Sequence, residues 1–83
     1  MTTTPDDKRP ALDLRGLKCP LPVLRTRKIL RAMKTGDPLL VLCTDPMAAI
    51  DIPHLIREGG DLLEAQEVTE GILRFWLRKG EER

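Results

Sequence analysis

Eighty-three residues, 41% of them apolar and 33% charged, suffice for one small domain with a single core and leave no room for a second. With one Phe, one Trp and no Tyr, that core must be built from Leu, Ile, Val and Met, and the composition argues against an aromatic stacking platform for single-stranded nucleic acid. The net charge of +1 is polarised: residues 18–34 hold six bases and no acid, while 44–70 hold seven acids and Arg57 alone, so either a basic surface meets an anionic partner or an ordinary helix face is solvated.

Residues 1–9, polar and Thr-rich with Pro5 and no period, read as a disordered N-terminal tail, 10–80 as the domain, and 81–83 as a C-terminal tail. The N-terminus has no apolar h-region and no run reaches the length of a membrane span, so the expected compartment is the cytoplasm, where Cys19 and Cys43 stay free thiols.

Leu12 and Leu14 alternate with Asp13 and Arg15 in a short half-buried strand ending at Gly16. From Pro20 to Lys34, at about 100° per residue, Pro22, Val23, Thr26, Ile29, Leu30 and Met33 form one stripe opposite the basic residues, which predicts an amphipathic helix on a sheet. Leu21 and Leu24 fall outside the stripe, and Gly36 is placed to cap the helix C-terminus. The run "LLVLC" (39–43) predicts a central strand. Asp45 and Pro46 suit a second helix start, with Pro53 interrupting that helix so that its regular part lies around 53–58, and Gly59 and Gly60 ending it. Two strands around "TEG" complete the chain, and on the last of them Leu73, Phe75 and Leu77 face the core. The order is βαβαββ. Short right-handed crossovers make the first three strands parallel and the final hairpin antiparallel, with both helices on one face, a two-layer α/β architecture.

Cys19 stands at the start of the first helix. The unpartnered N–H groups and positive end of a helix stabilise an anion; Pro20 suits the first helical position, and Pro22 is still within the first turn. With Lys18 adjacent, the thiol is expected to be lowered and partly ionised, as helix N-termini and neighbouring cations can take a cysteine from about 8.5 to roughly 3.5–7.5. The same field would favour a persulfide, and passing its outer sulfur to another thiol is thiolate attack on an S–S bond. That chemistry needs no cofactor and no metal, and no zinc-like Cys/His set, phosphate-cradling loop or nucleophile elbow is present.

The stretch "LDLRGLKCPLPVLRTRKIL", with the "DP" of Asp45–Pro46, the "DIP" of Asp51–Pro53 and the closing "LRKG", resembles the TusA/SirA family of small sulfur carriers, whose signature is CPxP at the first helix with a glycine shortly before it. The resemblance spans about 11–80. It implies a two-layer βαβαββ sandwich with a mixed four-stranded sheet, and a carrier cysteine at Cys19 with Gly16, Pro20 and Pro22 shaping its loop and helix. It also implies a cysteine desulfurase or other sulfur donor, and a downstream acceptor protein in tRNA 2-thiolation, sulfur oxidation or molybdenum cofactor assembly. On that reading the protein is a sulfurtransferase-like persulfide carrier rather than a turnover enzyme on small molecules.

Several residues admit two readings. Cys43 is either a resolving thiol or a small hydrophobe ending a core strand. Leu21 and Leu24, among Lys18, Arg27 and Arg31, form either a partner-docking spot with a basic rim or ordinary exposed leucines. Arg74, Trp76 and Arg78 are either a weak nucleic-acid footprint or an open sheet face, and near-neutral charge argues against direct nucleic-acid binding. His54 reads as a surface or satisfied residue rather than a base. Small size and a polar surface point to a monomer. A regulatory or interaction module binding protein or RNA, with Cys19 dispensable, is the alternative to sulfur transfer.

Overall fold

The computed structural model describes residues 9–81. Strands β1 (Ala11–Leu14), β2 (Pro38–Cys43), β3 (Leu62–Thr69) and β4 (Ile72–Arg78) form one sheet in the order β1-β2-β4-β3, with helices α1 (Leu21–Ala32) and α2 (Ala48–Gly59) between the first three strands. Strand β2 runs parallel to β1, and β4 runs antiparallel to both β2 and β3. The sheet is therefore mixed, as expected. The β2–α2–β3 crossover skips one place, and β4 fills the gap.

Alternation decides which side chains meet the helices. Leu39, Val41 and Cys43 of β2 and Leu73, Phe75 and Leu77 of β4 are buried together with Leu14, with Leu30 of α1, and with Ala48, Ile52, Leu55 and Ile56 of α2. Both helices thus share one face of the sheet. Phe75 is fully buried at the middle of it, where truncation to alanine would cost about 3–5 kcal/mol.

Four local expectations change. Helix α1 stops at Ala32, where Met33 turns extended and returns its N–H to the Leu30 carbonyl. Gly36, with φ +93°, instead turns the following loop and donates to the Lys79 carbonyl at 2.8 Å. Ile29, placed on the buried stripe by period, is exposed because that flank of α1 overhangs the sheet edge beside Pro10 and Pro38. Helix α2 is continuous through Pro53. Proline there removes only the bond to the Ala49 carbonyl near the helix start, and burial of Ile52, Leu55 and Ile56 holds the rest. Gly60, left-handed at φ 78°, closes the helix, with Asp61 donating to the Ile56 carbonyl.

Arg9, assigned by sequence to the tail, is part of the domain. Its buried guanidinium reaches past β2 to donate to the Leu77 carbonyl (3.0 Å) and to Glu64 (2.8 Å). Strong charge-assisted bonds, not apolar burial, hold it there. The tail residues 1–8 and 82–83 lie outside the described residues.

Candidate functional site

Parallel pairing of β1 and β2 aligns their C-terminal ends, Leu14 opposite Cys43. The loop 15–20 leading to α1 and the loop 44–47 leading to α2 therefore leave the sheet at the same end, and hydrogen bonds tie them together. Gly16, at φ +85°, donates its N–H to Thr44 Oγ1 at 2.8 Å; the left-handed backbone is the reason glycine suits this place. The Cys19 N–H donates to Asp45 Oδ2 at 2.5 Å, and the Met47 N–H to Asp45 Oδ1 at 3.1 Å. One carboxylate thus clamps the Cys19 loop to the start of α2.

Pro20 takes a different place from that expected, while Pro22 lies within the first turn as expected. Pro20 is the N-cap residue, joined to Cys19 by a cis peptide, and Leu21 is the first helical residue with Pro22 next. The Leu21 N–H is taken by the Lys18 carbonyl at 2.9 Å, and the Leu24 N–H by the Pro20 carbonyl at 3.1 Å. Pro20 and Pro22 carry no N–H at all. The helix start therefore has few donors left for a sulfur anion.

Instead, the exposed Cys19 thiol faces a carboxylate, with Sγ 3.4 Å from Asp51 Oδ2. The hydrogen bond to Asp51 comes first among the effects that raise this thiol above its ordinary value, followed by partial desolvation and the charges of Asp51 and Asp45. This reverses the lowering expected from the helix end. Lys18 is not among the effects that set this thiol; its charge acts on Asp45, whose carboxyl is held low chiefly by the N–H groups of Cys19 and Met47. Cys43 is buried in the core, where burial and then the Asp45 charge push its thiol up to about 11.

Around Cys19 the surface is apolar with a basic flank. Leu21 and Leu24 are exposed as expected, and Met47 and Ile50 at the start of α2 are exposed as well, Ile50 to 65%. The sequence reading missed Met47 and Ile50; their signal was that neither shares the face of Ala48, Ile52 and Leu55. It also missed Asp45 and Asp51 as neighbours of the thiol, although both had been noted in the "DP" and "DIP" runs. Lys18, Arg25, Arg27, Lys28 and Arg31 are exposed along α1 and its approach. Behind the thiol, Pro20, Val23, Arg27, Asp51, His54 and Leu55 line a cleft between the helices.

The opposite, helix-free face is less available than its composition suggested. Arg78 pairs with Glu64 at 2.7 Å and Arg74 with Glu67 at 3.6 Å, and Trp76 is only 8% exposed in the row between Leu40 and Ala65. Among the described residues, no group of three or more His, Cys, Asp or Glu side chains is placed to hold a metal, and no helix is long and apolar enough to cross a membrane.

The sequence profile described as sulfurtransferase TusA matches residues 11–79. The chain belongs to the TusA family. A Bacillus subtilis (strain 168) relative, named "Putative sulfur carrier protein YrkI", is 44% identical over 71 residues, covering 83% of this chain and 92% of the relative. An Archaeoglobus fulgidus protein named "Putative sulfur carrier protein" is 40% identical over 68 residues, with 81% and 88% covered. The crystal structure of the SirA-like protein from Desulfitobacterium hafniense is similar in fold, with a TM-score of 0.75 at 25% identity over 87% of this chain and 99% of that one. The two helices and mixed four-stranded sheet of this chain match that SirA-like fold.

Proposed function

We propose that this protein is a sulfur carrier that holds sulfane sulfur as a persulfide on Cys19. The observation that carries the reading is the contrast between its two thiols, Cys19 exposed at the meeting of two helix starts and Cys43 fully buried. In loading, the Cys19 sulfur attacks the outer sulfur of a donor persulfide, the donor's S–S bond breaks, and the donor leaves as a thiol with the proton that Cys19 gave up. The donor is a cysteine desulfurase or another persulfide-bearing protein. The acceptor is a protein of tRNA 2-thiolation, sulfur oxidation or molybdenum cofactor assembly. Carrier and partners meet in the cytoplasm, with the carrier as a monomer.

Partner docking uses the apolar rim of Leu21 and Leu24, extended by Met47 and Ile50, with Lys18, Arg27 and Arg31 steering an acidic surface toward the thiol. Gly16, Pro20 and Pro22 shape the loop that presents it. Pairing of Arg74 and Arg78 with acids of β3 weighs against a nucleic-acid function for the other face.

Incubation with cysteine and a cysteine desulfurase should add about 32 Da, one sulfur atom, to Cys19. Cys19→Ser should show no gain. Full activity of the Cys19→Ser chain in the host's sulfur metabolism would overturn the carrier reading and favour a binding module.

A further inference from the structure

The carboxylate of Asp51 treats the two forms of Cys19 in opposite ways. With Sγ 3.4 Å from Asp51 Oδ2, the empty carrier donates its S–H to the carboxylate. The loaded carrier cannot do so at neutral pH, because a persulfide is a stronger acid than a thiol and its outer sulfur carries negative charge. A like charge within a few ångströms then opposes it. The other charged or titratable groups near this point are Lys18 in the same loop, Asp45 in the loop before α2, and Arg27, His54 and Glu58, which line the cleft with Asp51. Asp45 adds to the negative side. Lys18 is the positive charge of the same loop and acts weakly on Asp45, whose oxygens accept from the Cys19 and Met47 N–H groups.

We propose that Asp51 sets the sulfur-transfer equilibrium of the carrier, favouring the empty thiol over the persulfide anion and so driving delivery to an acceptor. The inference rests on the reading of Cys19 as a persulfide carrier. For an acceptor thiol R–SH, the net step is Cys19–S–S⁻ + R–SH → Cys19–SH + R–S–S⁻. The acceptor sulfur attacks the outer sulfur, the bond between that sulfur and Sγ breaks with its electron pair on Sγ, and the acceptor's proton ends on Sγ, where Asp51 accepts the new hydrogen bond. Sulfane sulfur changes thiols, and nothing is oxidised or reduced overall. Asp51 touches the reacting atom, which distinguishes it from Asp45, a positioning residue that holds the backbone.

The test equilibrates the full chain with a fixed mixture of glutathione and glutathione persulfide, and reads the loaded-to-empty ratio at Cys19 by mass spectrometry. Asp51→Asn keeps the size and an accepting oxygen but removes the charge. Its ratio should rise about fivefold, the factor that one charge at this distance exerts across a water-like dielectric. Alkylation of its empty thiol at neutral pH should quicken by a similar factor, and Asp51→Glu should return both readouts toward wild type. Added salt should raise the wild-type ratio by screening, a measurement that needs no variant to fold. Normal loading with ratios equal in wild type and Asp51→Asn, or a wild-type ratio indifferent to salt, would overturn the proposal alone. Absence of loading in every chain while Cys19 still alkylates would overturn the carrier reading, and this proposal with it.

Discussion

Replacing Cys43 with alanine removes a thiol that the fold keeps neutral far into alkali, so the variant and its parent should diverge most at high pH. Cys43 is fully buried on the helix-covered face of β2, and burial, with the Asp45 charge second, lifts its thiol from 9.0 to about 11. Between those values the native state keeps a proton that the unfolded chain has released, and stability falls as pH rises. The contribution is whole below about pH 9 and is lost progressively toward pH 11, where the loss amounts to about 2 kcal/mol. Urea unfolding followed by far-ultraviolet circular dichroism across this range, in a Cys19→Ser background that silences the exposed thiol, measures it. The Cys43 chain should lose about 2 kcal/mol more than the Cys43→Ala chain between neutral pH and the upper limit. Parallel curves would refute the burial argument. Equal alkylation rates of Cys43 and Cys19 in the native wild type would refute it too, and would favour the resolving role over that of a small core hydrophobe.

Gly80→Ala should destabilise by about 2–4 kcal/mol in thermal or urea unfolding, because a Cβ there would overlap the Gly60 carbonyl oxygen and displace the Gly80 N–H from Asp61 Oδ1, now at 2.8 Å. Glu64→Gln should cost about 1–3 kcal/mol at neutral pH: Arg78 and then Arg9 hold the Glu64 carboxyl below its ordinary value, so the advantage of the wild type is present above the carboxylate range and vanishes as acid protonates Glu64. Unfolding curves of the two chains should therefore converge at low pH. The double variant Arg27→Glu/Arg31→Glu should slow sulfur loading from an acidic-faced donor about tenfold or more at low salt, with the gap narrowing as salt rises; unchanged initial rates at both salts would remove basic steering by α1 from the docking proposal.

Elements with a strong period were legible before any coordinates. The alternation of Leu73, Phe75 and Leu77 identified the core face of the last strand, and Gly59–Gly60 marked the end of the second helix, because each is a short-range rule written into adjacent residues. Boundaries governed by distant groups were not legible. Gly36 looked like a helix cap but serves a loop whose partner, the Lys79 carbonyl, lies at the other end of the chain. Arg9 looked like tail because an arginine gives no periodic signal, and only the approach of β4 and the Glu64 bend of β3 supplies its acceptors.

The site divides in the same way. Sequence by itself determined that a cysteine stands at a proline-fixed helix start and that exposed leucines flank it, since both depend on residues close together, and its short runs spread over 11–80 carried the resemblance to a family of sulfur carriers. The state of the thiol was decided only by the tertiary structure. Local reasoning counted the helix end and Lys18 and expected a lowered thiol. Folding spent the helix-start donors on Lys18 and Pro20 carbonyls and carried Asp51, thirty-two residues away, to 3.4 Å from Sγ. Charge interactions act through space, and parallel pairing of β1 with β2 brings two separate helix starts to one end of the sheet.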